Sequence, residues 1–360
     1  MMRSVARVLG RLVLAWLMLL IAVSVVSDVI TFAKNRLPRV DDRAELPNYP
    51  DPELARAMFS DAKQTVEEYA PYVAWTRAPL STEHVNINED GHRVHSAGRD
   101  DSPGSRTIGF FGGSTTWGTG VSDDDTVPAR FDQLTTGFTV TNYAQGSHTT
   151  RQNLAKLVNL VDTGRMPDVV VFYGGHNHVR IHCDRAITDR LNSHKFERPL
   201  ARKFTEQPRY GYVFEHLVMP VRDFYDRIAG NRFGKPDRIC RSDPAHGREV
   251  AATLVRMWEA AHAMVTGLGG EFHAFLQPVA YYGSPRIDHI EGDLRGPEEA
   301  AQFDAVFSGV QAILAARDLD YVTDLSGAFD GDEYILLDSA HASAAGSDII
   351  AAAMVEKIVR

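Results

Sequence analysis

One serine, one histidine and one aspartate stand in this chain where they can act together on a carbonyl carbon. Ser114 closes the run Phe110-Phe111-Gly112-Gly113-Ser114. The apolar stretch 107–111 predicts a buried strand, two glycines break it, and a helix-compatible segment follows at 126–134. A serine at such a turn can expose its Oγ beside backbone N–H groups, and a nucleophile needs those donors as the oxyanion develops. An ordinary strand-to-loop turn would read the same way. The C-terminus decides between them. There, Leu337-Asp338-Ser339-Ala340-His341 precedes an alanine-rich helical segment. An Asp and a His three apart on a loop can be neighbours, the carboxylate accepting from one imidazole nitrogen while the other takes the serine proton. Alone, that segment also reads as a helix cap (Asp338 or Ser343) beside a surface histidine. Joined to the Ser114 turn, it reads as a base and its orienting acid.

Two further stretches place small residues and a donor just after a strand. One is Asn142-Tyr143-Ala144-Gln145-Gly146-Ser147-His148-Thr149-Thr150-Arg151-Gln152, the other Tyr173-Gly174-Gly175-His176-Asn177-His178. A backbone N–H at Gly146 or Ser147, and the Asn177 amide, can meet an oxyanion beside Ser114. A turn-forming asparagine is the plainer account of Asn177. His176, His178, His182 and Cys183 have ligand chemistry at short spacing. However, His176 and His178 point to opposite sides if extended, on what reads as a loop. No metal and no cofactor is therefore expected, and His176 is read as lining the substrate or simply exposed.

The ordered set Gly112-Gly113-Ser114, Gly146-Ser147, Gly175-His176-Asn177 and Asp338-Ser339-Ala340-His341 resembles the SGNH (GDSL-type) hydrolase superfamily over about residues 107–360. The resemblance implies a flavodoxin-like parallel sheet with helices on both faces and Ser114 as nucleophile. It implies His341 and Asp338 as base and orienter, and an oxyanion hole from the Ser114 amide, a second-block amide and Asn177. Three departures stand out. Gly113 replaces the family's usual aspartate. Alignment on Thr150-Arg151-Gln152 puts Ser147, with Gly146 just before it, at the second-block glycine. His178 follows the asparagine where an aspartate is usual.

The elements that must position these residues alternate between strand and helix signals. Strands are predicted at 107–111, 138–143, 168–173, 272–278 and 320–325, and helices at 150–163, 249–268, 297–316 and 342–359. The unbroken run Val169-Val170-Val171-Phe172-Tyr173 suits a strand covered on both faces. Alternation of this kind indicates a parallel sheet with ligands beyond the strands' carboxyl ends. The pattern is interrupted at about 179–247 by a basic, aromatic stretch that reads as an inserted cap. Residues 105–360 are thus taken as one domain with an insertion. Residues 34–104 are taken as a Pro-rich linker and a preamble on the domain's edge, with a helix over 52–69 and a hairpin at Glu89-Asp90-Gly91.

The ends and the composition set the context. The chain has 360 residues and a formal charge of −9 spread along its length, which argues against a nucleic-acid partner. Arg3, Arg7 and Arg11 precede an uncharged run from Leu12 to Ser27 and an apolar patch from Val29 to Ala33. About 20 apolar residues span a bilayer, so residues 1–33 read as a signal anchor, or as a signal peptide cut after Ser27. Either reading puts the domain outside the cytoplasm, periplasmic or extracellular. Cys183 and Cys240 are the only cysteines, and in an oxidising compartment a disulfide between them is expected; two separate buried thiols are the alternative. The expected function is an exported serine ester hydrolase acting through an acyl-enzyme on an ester-bearing small molecule, envelope lipid or polysaccharide. An O-acyltransferase using the same residues, and a silent glycan-binding module, are the other readings.

Overall fold

A computed structural model describes residues 41–96, 104–184 and 238–359, with scattered helical positions between 7 and 26. The chain divides into two units: residues 40–193 with 236–360, and residues 1–39 with 194–235. Described positions of the second unit are helical, and Leu12, Leu14, Trp16, Leu19 and Ile21 among them are exposed. Among the described residues, no helix is long and apolar enough to cross a membrane. The expected N-terminal membrane helix thus finds no support here, and part of it lies outside the described residues. So does most of the basic, aromatic insertion.

The first unit is built on a five-stranded sheet. Its strands are β5 (Arg106–Gly112), β6 (Phe138–Asn142), β7 (Val169–Gly174), β8 (Glu271–Leu276) and β9 (Val322–Asp324), in the order β6-β5-β7-β8-β9 with every pair parallel. Counted within the sheet this is the order 2-1-3-4-5, the flavodoxin-like arrangement expected. β7 is buried from Val169 to Tyr173 because helices cover both faces. On one face, Phe111, Val170 and Phe172 pack with Leu157, Leu254, Trp258 and Phe307. These come from α4 (Thr150–Asp162), α7 (Pro244–Gly267) and α8 (Pro297–Ala316). On the other, Ile108, Phe110 and Val171 pack with Val127, Phe131, Ile350 and Met354, from α3 (Val127–Leu134) and α9 (Ala344–Ile358). Successive strand residues alternate between the two cores, as the pleat requires.

Residues 41–96 differ from the linker and edge preamble expected of them. After a 3₁₀ turn at Asp42–Glu45, α1 (Pro52–Ala62) stops well short of residue 69. β1 (Glu67–Ala70) instead pairs antiparallel with β2 (Ala74–Arg77) around a turn whose Tyr72 and Ala74 have φ of 65° and 83°. The turn carries no glycine, which is why no hairpin signal marks it. β3 (Leu80–Ser81) pairs with β4 (Asn86–Ile87), and the expected Asp90-Gly91 turn follows, with Ile87 bridging Arg93. This segment belongs to the same unit as the sheet.

The expected disulfide joins Cys183 and Cys240, whose Cα atoms are 5.2 Å apart. Both sulfurs are buried, and the Asp184–Arg238 bridge runs beside them. The bond therefore ties together the two chain ends flanking residues 185–237. By the loop-entropy account, closing a loop of 57 residues contributes about 4 kcal/mol to stability.

Candidate active site

The strand order reverses between β5 and β7, and the candidate residues gather at the carboxyl ends of these strands. β5 ends at Gly112, and Ser114 opens a single helical turn, α2 (Ser114–Trp117), which Gly118 ends with φ of 97°. The two glycines are there for space. A Cβ on Gly112 would run into Thr116 Oγ1 and the Tyr173 carbonyl, and one on Gly113 would lie 2.5 Å from Asn177 Nδ2. Gly113 thus makes room for the asparagine amide. Thr116 donates to the Tyr173 carbonyl at 3.0 Å, fastening the turn to β7.

His341 and Asp338 come from the loop before α9. His341 Nε2 lies 2.7 Å from Ser114 Oγ, and His341 Nδ1 lies 2.6 Å from Asp338 Oδ2. The other carboxylate oxygen, Oδ1, accepts the backbone N–H groups of Ala340 and His341, each at 3.0 Å. Burial alone would raise the Asp338 carboxyl. The charge and hydrogen bonds of His341, with the Ala340 amide, outweigh it and hold the carboxyl well below the usual carboxylate range. Asp338 is thus a fixed anion that His341 Nδ1 faces, and His341 Nε2 faces the Ser114 hydroxyl.

The second-block loop lies across β5 from this row. Ser147 is exposed and left-handed, with φ of 63°, the conformation that favours glycine. Gly146 is not left-handed; a Cβ there would meet the Arg77 guanidinium at 2.6 Å. The Ser114 amide is the first of α2, where the helix's own carbonyls supply no acceptor. Asn177 Nδ2 donates to the His148 carbonyl at 3.0 Å, so its amide bridges the second and third blocks.

His176 and His178 sit on a helix, α5 (His176–His182), and not on the loop expected. Neither is exposed. His176 stacks on Phe303 with ring centroids 5.3 Å apart, and its Nε2 lies 3.4 Å from Ser339 Oγ, one residue from Asp338. Burial, with the positive charge of Arg180 nearby, pushes the His176 ring down to about 3, so it is neutral. His178 turns the other way, its Nε2 3.2 Å from the Val250 carbonyl and its ring 4.3 Å from that of His182. Among the described residues, no group of three or more His, Cys, Asp or Glu side chains could hold a metal ion. A cleft of about 360 Å³ between residues 88–96 and the β6 edge, lined by His92, His95, Asp132 and Arg165, contains none of the Ser114, His341 and Asp338 set.

Several site residues escaped the sequence reading, and most come from residues 41–96. Arg43 Nη1 donates to Asp338 Oδ2 at 2.7 Å. Arg77 and Arg93 lie 4.0 and 4.5 Å from the ring of Trp117, on the Ser114 turn. Arg93 is buried, pairs with Asp123 at 2.7 Å, and donates to the carbonyls of Trp117, Gly118 and Val121. Trp75 Nε1 donates to the Gly146 carbonyl at 3.1 Å, and Arg77 to Gln145 Oε1 at 3.2 Å. Just past the end of β8, Gln277 donates to Thr115 Oγ1 at 3.2 Å. None of these contacts follows a local sequence pattern.

No family model matches the sequence, and no curated protein does. Solved structures do match. A lipase from goat rumen metagenome is 12% identical over 70% of this chain and 97% of its own, with a TM-score of 0.41. A member of the lipolytic G-D-S-L family from Veillonella parvula is 13% identical over 71% and 98%, with a TM-score of 0.38. A carbohydrate acetylesterase from Sinorhizobium meliloti is 14% identical over 71% and 98%, also with a TM-score of 0.38. Overlaps this loose say nothing about activity, which must be argued from the site's own atoms.

Proposed function

We propose that this chain is a serine ester hydrolase of the SGNH type, and that Ser114, His341 and Asp338 are its catalytic residues. The observation that carries this reading is the unbroken row Ser114 Oγ–His341 Nε2–His341 Nδ1–Asp338 Oδ2, with contacts of 2.7 and 2.6 Å. Ser114 Oγ attacks the ester carbonyl carbon while its proton passes to His341 Nε2. The imidazolium is stabilised by Asp338 and returns that proton to the departing alkoxide as the carbon–oxygen bond breaks, leaving an acyl-enzyme. Water then gives its proton to Nε2, attacks the acyl carbon and releases the acid, restoring Ser114.

The oxyanion is received by the N–H groups of Ser114 and Ser147 and by Asn177 Nδ2. The left-handed backbone at Ser147 supports it, over Gly146, as the second-block donor. Asn177 exchanges the His148 carbonyl for the oxyanion as charge develops. His176, neutral and beside Ser339, lines the substrate side.

The substrate is an ester of an envelope glycan or lipid, met outside the cytoplasm. Support for export comes from the leading arginines and apolar run, and from the Cys183–Cys240 disulfide. Whether the N-terminal segment stays as an anchor is read directly by fractionating cells and sequencing the mature N-terminus.

The test is steady-state turnover of p-nitrophenyl acetate by the full chain and by Ser114→Ala. Turnover that falls by about 10⁴-fold or more in the variant is expected; equal turnover in both would reject the reading. Adding an oligosaccharide to the same assay separates the two acyl-enzyme fates. Free acid as the only acyl product fits the hydrolase, and an acylated oligosaccharide would overturn it in favour of the transferase.

A further inference from the structure

Asp338 Oδ2 has two donors, not one. His341 Nδ1 lies 2.6 Å from it and Arg43 Nη1 lies 2.7 Å from it, while Oδ1 is taken by two backbone N–H groups. Arg43 arrives from a stretch 295 residues away in the chain. It is held for this contact. Asp41 grips the remaining nitrogens in a fork, Oδ1 to Nε at 2.9 Å and Oδ2 to Nη2 at 3.0 Å, and the guanidinium lies 4.9 Å from the Phe59 ring centroid. The turn that carries Arg43 is pinned on both sides. Asn48 Nδ2 donates to the carbonyls of Tyr334 and Leu336 just before Asp338, and the Tyr49 hydroxyl donates to the Gly120 carbonyl just beyond the Ser114 turn.

We infer that Arg43 is a positioning residue for the Ser114–His341–Asp338 row, fixing the Asp338 carboxylate and drawing part of its charge away from His341. This inference rests on the catalytic reading of that row. An isolated ion pair at a partly exposed surface contributes little. This one differs because its anion is already the partner of an imidazole, so charge shared with Arg43 is charge withheld from the imidazolium. Removing the Arg43 charge would therefore strengthen the hold of the carboxylate on the imidazolium.

The other groups facing the row do not reproduce this effect. Asp41 balances Arg43 from behind, and Tyr49 is a neutral phenol raised by burial. On α5, the His176 ring is neutral and Arg180 lies behind it, paired at 3.9 Å with Glu299. Among the described residues, Arg43 alone sets a full positive charge on the oxygen that His341 uses.

The experiment compares the full chain with Arg43→Gln and Arg43→Lys. The His341 ring is followed by NMR of histidine-labelled protein, its signal assigned with His341→Gln, and kcat/KM on p-nitrophenyl acetate is followed against pH. In Arg43→Gln the ring titration and the acidic limb of kcat/KM are expected to move up together by about one pH unit, with activity approaching the wild-type plateau above the shifted limb. Arg43→Lys, which keeps the charge, is expected to restore the wild-type midpoint. An unmoved midpoint in folded Arg43→Gln, or an equal loss of kcat/KM at every pH, would overturn the inference. Should Arg43→Gln not fold, the wild-type chain decides. Its Arg43 side-chain ¹⁵N resonances are expected to shift with the His341 midpoint, and flat resonances would overturn the link. A wild-type chain that titrates as described yet turns over no ester would defeat the hydrolase reading and leave the Arg43 contact standing.

Discussion

The sheet and the segment before it contribute to the site in different ways. The residues proposed for the reaction come from beyond the sheet strands: Ser114 after β5, Ser147 after β6, Asn177 after β7, and Asp338 and His341 between β9 and α9. The groups that hold their neighbours in place come largely from residues 41–96: Arg43 on Asp338, Arg77 and Arg93 beside Trp117, and Trp75 on Gly146. The first set is positioned by backbone turns a few residues long. The second consists of three cations and an indole reaching across 24 to 295 residues of chain. A site built in this way can be damaged from either side, and the two kinds of damage have different signatures.

The largest effect is expected on the strand-end side. Asp338→Asn presents an amide to His341 Nδ1 and loses the anion, so kcat on p-nitrophenyl acetate should fall by about 10⁴-fold. The same variant reports on stability. Because the folded Asp338 carboxyl is depressed, its contribution is present above the unfolded value of about 4 and is lost as pH falls below that. The stability gap between wild type and Asp338→Asn, measured by urea unfolding, should therefore be wider at pH 7 than at pH 3. A gap independent of pH would mean that Asp338 is not held as described.

On the clamp side, Arg93→Met leaves Asp123 and the carbonyls of His84, Trp117, Gly118 and Val121 without their buried cation. The loss should lower unfolding free energy by about 3–5 kcal/mol. Its kcat should fall far less than that of Asp338→Asn, because no reacting atom is touched. A collapse in kcat with unchanged stability would erase the distinction between the two sets.

Asn177→Ala sharpens the comparison, since Asn177 both bridges to the His148 carbonyl and is assigned to the oxyanion. As an oxyanion donor it should cost about 10²-fold in kcat with KM little changed. If it serves only as the bridge, the loss should appear as a lower Tm with kcat near wild type.

The same division explains what could be read from the sequence. Val169 to Tyr173 announces a strand buried on both faces, and the glycines at 112–113 and 174–175 mark where strands break into turns, so the sheet and its strand-end residues were legible. The pairing of Cys183 with Cys240 followed from there being two cysteines in a chain read as exported. Helix α5 was misread as a loop because Gly174-Gly175 and three histidines mask the spacing of Val179 within it. The β1–β2 hairpin was missed because Tyr72 and Ala74 take positive φ without a glycine to signal it. Arg43 was lost in a Pro-rich, charged stretch that has every mark of a linker. Ion pairs between distant residues leave no periodicity, so the clamp could be seen only once the fold brought its partners together.

The central claim is that Ser114 is the activated nucleophile, and the most direct measurement is covalent. The full chain is treated with a serine-directed fluorophosphonate, and the adduct is mapped by peptide mass spectrometry in wild type and in His341→Gln. One adduct is expected, on Ser114, formed far more slowly when His341 is replaced. A label on another residue, or labelling of Ser114 at the same rate without His341, would contradict it.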